Sequence, residues 1–281
     1  MDELGDLGWV AHRSYELEGY IFGVRTNSDA FCAWLDNALA DHRIPDKDAD
    51  PNFSVLIGEP GKVGKSYHIL YKDSTSLMRT FDLPALGRAL LSEIEAVSFP
   101  RRDDAIYMQY ALVSARGTKA LIPAELVSFF DQVARKVDRA GVTLPVTAFT
   151  AVDLESGELI PTPRTLGLDE EAAEPLARIA SADGWPARAT LDRPANVDVI
   201  CGMGYLREVA FAPISRGVAL FTLTAFTKNL PVLRQSGLEG LRRLIEGVPC
   251  YQLTAEHHDE MLESLLTVLS GQAGDAATVA T

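Results

Sequence analysis

The sequence contains little cysteine and comparatively few cationic side chains. Its three cysteines, Cys32, Cys201 and Cys250, lie far apart in apolar surroundings, which argues against a disulfide framework and against a zinc site. We expect reduced core thiols, as in a cytoplasmic protein. Lys and Arg number 26 against 39 Asp and Glu, a net charge of -13 that disfavours nucleic-acid binding.

Long apolar runs are also missing. No run approaches the roughly 18 residues needed to span a bilayer, and the acidic start MDELGDLGWVAHR has no apolar core of a signal peptide. We therefore expect a cytoplasmic protein with neither a membrane nor a nucleic acid among its partners. The 281 residues, 47% of them hydrophobic, are enough for one large domain or two modest ones.

The first part of the chain predicts a small α+β domain over residues 16–100, preceded by a flexible arm over 1–15. Alternating and helical apolar periods indicate the order β-α-β-β-β-α. Either Ser28 or Asn27 caps the first helix, and Asp82 caps the second. The predicted strands read YIFGVRT, NFSVLIG, YHILYK and SLMRTF.

The polar stretch PRRDD indicates a boundary, and residues 101–270 form the second predicted domain, followed by a disordered tail over 271–281. We expect hairpins about 115–117 and 156–157 and an amphipathic helix in AELVSFFDQVARKVDRAG. The polar, proline-rich stretch 161–196 predicts a surface excursion with one helix. Further strands are predicted in VDVICGMGY, EVAFAPIS, GVALFTLTAF and VPCYQLT, with helices in GLEGLRRLIEG and after Thr254. The glycines of CGMGY are interpreted as relieving a bulge. The expected fold class is mixed α/β.

The stretch GEPGKVGKS, residues 58–66, ends like a phosphate-binding loop. Such a loop needs Gly-x4-Gly-Lys-Ser/Thr between a strand and a helix, because backbone N–H groups and the helix dipole hold the phosphates. Counting back from Gly64, the position that requires the first glycine is occupied by Glu59. The following stretch, YHILYK, has the pattern of a strand. We predict a hairpin loop and no nucleotide site here.

Three stretches in the second half carry a resemblance. They are YALVSARGTKALIPAELVSFFDQVARKVDRAGVTLP, VDLESGELIPTPRTLGL and LIEGVPCYQLTAEHHDEMLESLLTVL. In pattern and order of elements, over about residues 100–270, they resemble P-loop kinases of the HPr-kinase type. In particular, they resemble the relatives found as tailoring kinases in gene clusters for ribosomally made, modified peptides.

The sequence departs from that family at the phosphate site. The strand ending at Pro123 runs into AELVS, which has no glycine or lysine, and the next strand, PVTAFT, has no acidic residue for magnesium or a base. Phosphoryl transfer depends on positioning and charge neutralisation, so losing both leaves a pseudokinase-like fold without its chemistry. We interpret Asp153 as a turn residue. No catalytic residue is assigned, and His257, His258 and Asp259 point to different helix faces, so no metal site is assigned either.

The resemblance implies a non-catalytic protein without a cofactor. It is similar to precursor-peptide-binding proteins of ribosomal-peptide pathways of the crocagin type. The implied function is to bind a precursor (leader) peptide and to protect it or present it to tailoring enzymes. Two alternatives stay open: a divergent peptide kinase with a relocated ATP site, or an architectural subunit of a tailoring-enzyme complex. A homodimer is also left open.

The predicted peptide site lies on two strands of the first domain, one of which would offer a free edge to an extended leader peptide. Main-chain bonds would supply affinity, and pockets near the tyrosines selectivity; alternatively the tyrosines merely cover the sheet. Lys62, Lys65 and Lys72 would contact an acidic leader, or are simply solvated. The candidate peptide-binding residues are Phe53, Val55, Ile57, Tyr67, Ile69, Tyr71 and Lys72.

Overall fold

The structure is a computed structural model of the whole chain. It describes residues 7–17, 19–45, 48–58, 67–115, 117–126, 141–145, 149–162, 166, 170–179, 188–189, 191, 193–203, 211–253, 263, 265–267 and 269. The chain forms two compact units, Met1–Ser98 with Arg164–Trp185, and Phe99–Pro163 with Pro186–Thr281. Helices and mixed sheets give the mixed α/β class expected from the sequence.

The first unit is a five-stranded sheet with three helices. Its strands follow the order β1-β2-β3-β4-β5. β2 and β3 are parallel and the other neighbours antiparallel, so α1 forms the crossover that a parallel pair requires. The elements are β1 Ala11–Leu17, β2 Tyr20–Thr26, α1 Asp29–Ala38, β3 Phe53–Leu56, β4 His68–Lys72, β5 Thr75–Thr80, α2 Leu83–Glu95 and α3 Glu170–Ile179.

Short-range signals in the sequence correctly placed the first two helices. Ser28 Oγ accepts a hydrogen bond from Phe31 N at 3.2 Å, and Asp82 Oδ1 accepts one from Ala85 N at 2.9 Å. Asn27, the alternative cap, instead bonds both main-chain groups of Ile57, with its Oδ1 2.7 Å from Ile57 N. The predicted strands of this unit are confirmed as β2, β3, β4 and β5.

Two predictions for this unit are wrong. Residues 11–15, expected in a flexible arm, belong to β1, whose seven residues pair antiparallel with β2 and bury Tyr15 and Leu17. The helix predicted within a surface excursion exists as α3, but it packs on α1 and α2 and buries Leu176 completely. Gly87 makes room for it, since a Cβ there would lie 2.5 Å from Leu176 Cδ1.

The second unit contains a seven-stranded sheet, β12-β9-β7-β8-β13-β15-β14, and a three-stranded sheet, β11-β10-β6. β8, β13 and β15 run parallel, and β7 and β8 form the expected hairpin. The strands are β6 Ile106–Met108, β7 Tyr110–Ala115, β8 Thr118–Pro123, β9 Val142–Pro145, β10 Thr150–Val152, β11 Leu159–Ile160, β12 Arg188–Ala189, β13 Val199–Met203, β14 Phe211–Pro213 and β15 Cys250–Leu253. The helices whose bounds the structure describes here are α4 Arg216–Phe226, α5 Leu230–Leu233 and α6 Gln235–Leu244.

The strand predicted in GVALFTLTAF is wrong, because this stretch forms α4. Ser215 Oγ caps the helix at Val218 N, and Ala219, Thr222 and Leu223 are buried at helical spacing. A short apolar run does not distinguish a buried strand from a buried helix. The bulge expected from the glycines of CGMGY is absent at Gly202, where β13 pairs with β15 in unbroken register and a Cβ would lie 2.9 Å from the Thr222 side chain; Gly204 lies outside the described residues.

Several expectations fall outside the described residues. They are the predictions for the loop 59–66, for residues 127–140 of the amphipathic helix, for residues 257–259 and for the tail 271–281. Within the described part of the chain, none of the helices has the length and apolar character that a bilayer crossing requires.

Candidate functional site

The residues predicted to bind peptide do not lie at a sheet edge. β3 is paired with β2 and β4, and β4 is paired with β3 and β5, so both are inner strands. Phe53 is 1% exposed and Val55 0%, and Ile57 is also buried. These three side chains belong to the core, where a peptide cannot contact them. The expectation of a free edge on these strands is therefore corrected.

Lys72 faces the helix-covered side of the sheet. Its Nζ lies 3.2 Å from Oε2 of Glu93 on α2 and 5.8 Å from the centre of the Phe53 ring. The Glu93 side chain is only 3% exposed. Lys72 therefore holds a buried carboxylate in place. Lys62 and Lys65 lie outside the described residues.

Tyr67, Ile69 and Tyr71 alternate with the core-facing residues of β4, so they lie on the opposite face of the sheet, and all three are half-buried. We call this face the outer face. The Tyr67 ring lies 4.0 Å from that of Phe81, centre to centre, and the guanidinium carbon of Arg79 lies 3.8 Å from the Tyr67 ring centre. The structure thus gathers three of the seven predicted residues on one face.

Arg79, which the sequence reasoning missed, completes this cluster. It pairs with Ile69 across the β4–β5 ladder, and among the described residues it makes neither a hydrogen bond nor an ion pair. In the part of the chain that the structure describes, its guanidinium stacks on the Tyr67 ring. The alternation within TSLMRT, residues 75–80, was the available signal for an outward-facing arginine beside an aromatic pair.

β5 is the open edge of the sheet. It is the last strand in the order, and no strand that the structure describes pairs with its other side. Its six residues span roughly 20 Å and contain no proline. At the opposite edge, β1 already has a neighbour, because Ile44 N donates to Ser14 O at 3.0 Å and Tyr15 forms a bridge with Arg43.

A cavity of about 460 Å³ lies where the first two strands meet the 48–51 segment. The Arg25 guanidinium carbon lies 4.7 Å from the Trp9 ring centre, and Arg25 Nε donates to Ser54 Oγ at 2.8 Å. Ser54 is in register with Tyr71, so this cavity adjoins the same outer face. The cavity is lined by Trp9, Val10, Ala11, His12, Arg25, Asp48, Ala49, Asp50 and Pro51.

In the second unit, the segment after β8, where the resemblance to kinases led us to look for a phosphate loop, is packed backbone. β8 runs into a 3-10 turn, Ala124–Leu126, whose Ala124 and Leu126 are buried. Ala124 N donates to the Gln109 carbonyl at 3.3 Å, so this N–H is already engaged. The other loop-like stretch, after Gly58, leads into β4 and not into a helix, as the sequence predicted.

Asp153 has the turn role expected from the sequence. Its Oδ1 accepts hydrogen bonds from Glu155 N at 3.0 Å, Ser156 N at 2.7 Å and Ser156 Oγ at 2.9 Å. These bonds, those of Ser156 first, hold the pKa of its carboxyl below the usual value. Among the described residues, no group of three His, Cys, Asp or Glu side chains is placed to hold a metal ion.

Comparison with known proteins gives no relative. No protein-family model, no curated protein and no solved structure matches this chain. The likeness to kinases of the HPr type therefore stays a prediction from sequence pattern.

Proposed function

We propose that this protein binds a ribosomally made precursor peptide without transforming it, and that it protects the peptide or presents it to tailoring enzymes. The peptide is added as a sixth strand along β5, and its side chains contact the outer face. The observation that carries the proposal is the open β5 edge beside the cluster of Arg79, Tyr67 and Phe81. The peptide's class comes from the sequence resemblance alone.

The side chains of this cluster have to supply much of the affinity. A backbone hydrogen bond contributes about 0.5–1.5 kcal/mol net, whereas a Kd of 1 μM corresponds to about 8 kcal/mol. A peptide also loses conformational freedom when it is ordered against an edge. The Arg79 guanidinium lies against the Tyr67 ring, and we expect its terminal Nη groups, rather than its buried Nε, to donate to a peptide carbonyl or carboxylate.

The packing around Ala124 favours binding over catalysis. A phosphate loop directs several free N–H groups at the anion, whereas Ala124 N bonds the Gln109 carbonyl and Leu126 is 1% exposed. Nucleotide binding at this turn would require both contacts to open.

Calorimetric titration of the full chain with the precursor peptide encoded beside its gene tests the proposal. We expect binding with a Kd of micromolar order, weakened at least fivefold by Arg79→Ala. Arg178→Ala is the matched control, since Arg178 lies on α3 of the same unit with its side chain 74% exposed. A precursor with alternate residues N-methylated loses donors along one edge and should bind weakly. Equal binding of methylated and unmethylated peptides would contradict strand addition.

Two further measurements separate the rival functions. Saturable binding of ATP with magnesium, or phosphate transfer to the peptide, would establish a divergent kinase and overturn the proposal. Co-purification with a tailoring enzyme, combined with no peptide binding at tens of micromolar, would establish an architectural subunit instead.

A further inference from the structure

A second cavity, of about 310 Å³, lies beside β1 in the first unit. It is separate from β5, at the other edge of the sheet. We call it the arginine cavity. Its lining residues are His12, Arg13, Ser14, Arg43, Ile44, Pro45 and Asp48.

One carboxylate, that of Asp36, positions both arginines. Arg13 Nε lies 3.1 Å from Asp36 Oδ2, and Arg43 Nη1 lies 2.8 Å from Asp36 Oδ1. Tyr15, which is fully buried, donates its hydroxyl to Oδ1 at 3.2 Å. Asp36 on α1 therefore holds the two guanidinium groups side by side, with limited freedom to turn away.

Several donors of these arginines are left over. Arg13 donates through Nε to Asp36 Oδ2, and through Nη1 to the His12 carbonyl at 3.0 Å. Arg43 uses Nη1 on Asp36. Within the described residues, Nη2 of Arg13 and both Nε and Nη2 of Arg43 have no partner. The Nε–Nη2 fork of Arg43 matches the two oxygens of a carboxylate or of a phosphate, and Arg13 Nη2 adds a further donor.

Arg13 and Arg43 are formally balanced by Asp36 and Asp48, so an anion is favoured through the difference in exposure of these groups and not through net charge. The Arg13 and Arg43 side chains are 32% and 36% exposed, so water screens them only in part. The acidic residue on the wall, Asp48, is 95% exposed and lies 3.4 Å from His12 Nδ1. Its charge is strongly screened at the rim.

We propose that the arginine cavity binds an oxyanion, a carboxylate or a phosphate, through the unused guanidinium donors of Arg43 and Arg13. Asp36 is a positioning residue, because it holds both arginines without touching the ligand. The inference is independent of peptide binding at β5.

Titration of the full chain with sodium phosphate and, separately, sodium acetate tests this, at constant ionic strength with sodium chloride as the balance. Thermal unfolding should shift upward in a saturable way for at least one of the two anions. The anion whose titration gives a saturable shift identifies the ligand chemistry: a phosphate group if it is phosphate, a carboxylate if it is acetate. If neither anion exceeds chloride, the proposal is overturned.

Variants locate the site. Arg43→Gln should weaken the anion's effect at least tenfold, while Arg178→Gln leaves it unchanged. Because Arg43→Gln also removes an ion pair to Asp36, Arg43→Lys serves as a second variant that keeps the charge and loses the fork; we expect intermediate binding. As a direct readout, the NMR signal of Arg43 Nε–H, assigned by its disappearance in Arg43→Lys, should move with the anion. An unmoved signal, or an anion effect in Arg43→Gln equal to that of the unmodified chain, would refute the assignment.

Discussion

Asn229, just before α5, ties that helix to the stretch 102–107 of the second unit, and its replacement is the sharpest test of the packing there. The residue is 0% exposed. Its Oδ1 accepts from Tyr107 N at 3.0 Å, and its Nδ2 donates to the carbonyls of Arg102 and Ala105 at 2.9 and 2.6 Å. Asn229→Leu keeps the branched heavy-atom shape, removes all three bonds and takes away the acceptor of the Tyr107 N–H.

The expected loss follows from those contacts. Each of the three bonds contributes about 1 kcal/mol, so we expect the free energy of unfolding to fall by about 3 kcal/mol. In a unit of this size that corresponds to a Tm lower by about 10 °C. Asn229→Asp should be at least as damaging, because its carboxylate would face the Arg102 and Ala105 carbonyls.

Urea unfolding followed by two probes measures this. All three tryptophans lie in the first unit, so their fluorescence reports that unit, while far-UV circular dichroism reports both. The loss should therefore be seen by circular dichroism. Asn196→Ala is the control, since Asn196 is exposed and should change stability by under about 0.5 kcal/mol. A change below about 1 kcal/mol for Asn229→Leu would refute the reasoning.

Three other perturbations have defined outcomes. Gly23→Ala should destabilise more than Gly87→Ala in urea unfolding, because the new Cβ would lie 2.5 Å from the rigid Asp50 carbonyl, whereas at Gly87 it meets the movable end of a leucine side chain. All three cysteines are buried, so a thiol reagent at pH 8 should label none in the native state and three in urea. The hydrogen bonds from Arg102 hold the pKa of Asp104 below its ordinary value. This carboxylate therefore stabilises the fold above about pH 4, and its contribution is lost as pH falls through the lowered pKa. In Asp104→Asn, the free energy of unfolding should depend less on pH in that acid range.

Local sequence signals predicted much of the fold. The caps at Ser28 and Asp82 and the alternation of the central strands gave the right elements, because these depend on neighbours within a few residues. The failures depend on distant partners. α3 is buried only because Gly87, far away in sequence, leaves space for Leu176, and the apolar α4 stretch has no local feature that excludes a strand apart from its cap, Ser215.

The candidate sites were harder to predict for the same reason. Tyr67 and Tyr71 were selected for their aromatic character, and they do lie on the outer face, but Arg79 joins Tyr67 only through the β4–β5 ladder. The arginine cavity brings together Arg13 and Arg43, which come from separate segments and meet at Asp36. No spacing rule in the sequence connects them.

The order of strands decides where strand addition can occur. β2 and β3 are parallel, and β4 pairs with the far side of β3, so the residues first predicted for the site are enclosed on both sides. Of the two outer strands, β1 is contacted by Ile44, whose N–H bonds Ser14 O. A peptide on β1 would have to break that bond and displace the Arg43 bridge to Tyr15, whereas a peptide on β5 displaces no described strand. Protection from hydrogen exchange on peptide binding should therefore rise in 75–80 and not in 11–17; the reverse pattern would move the site to β1.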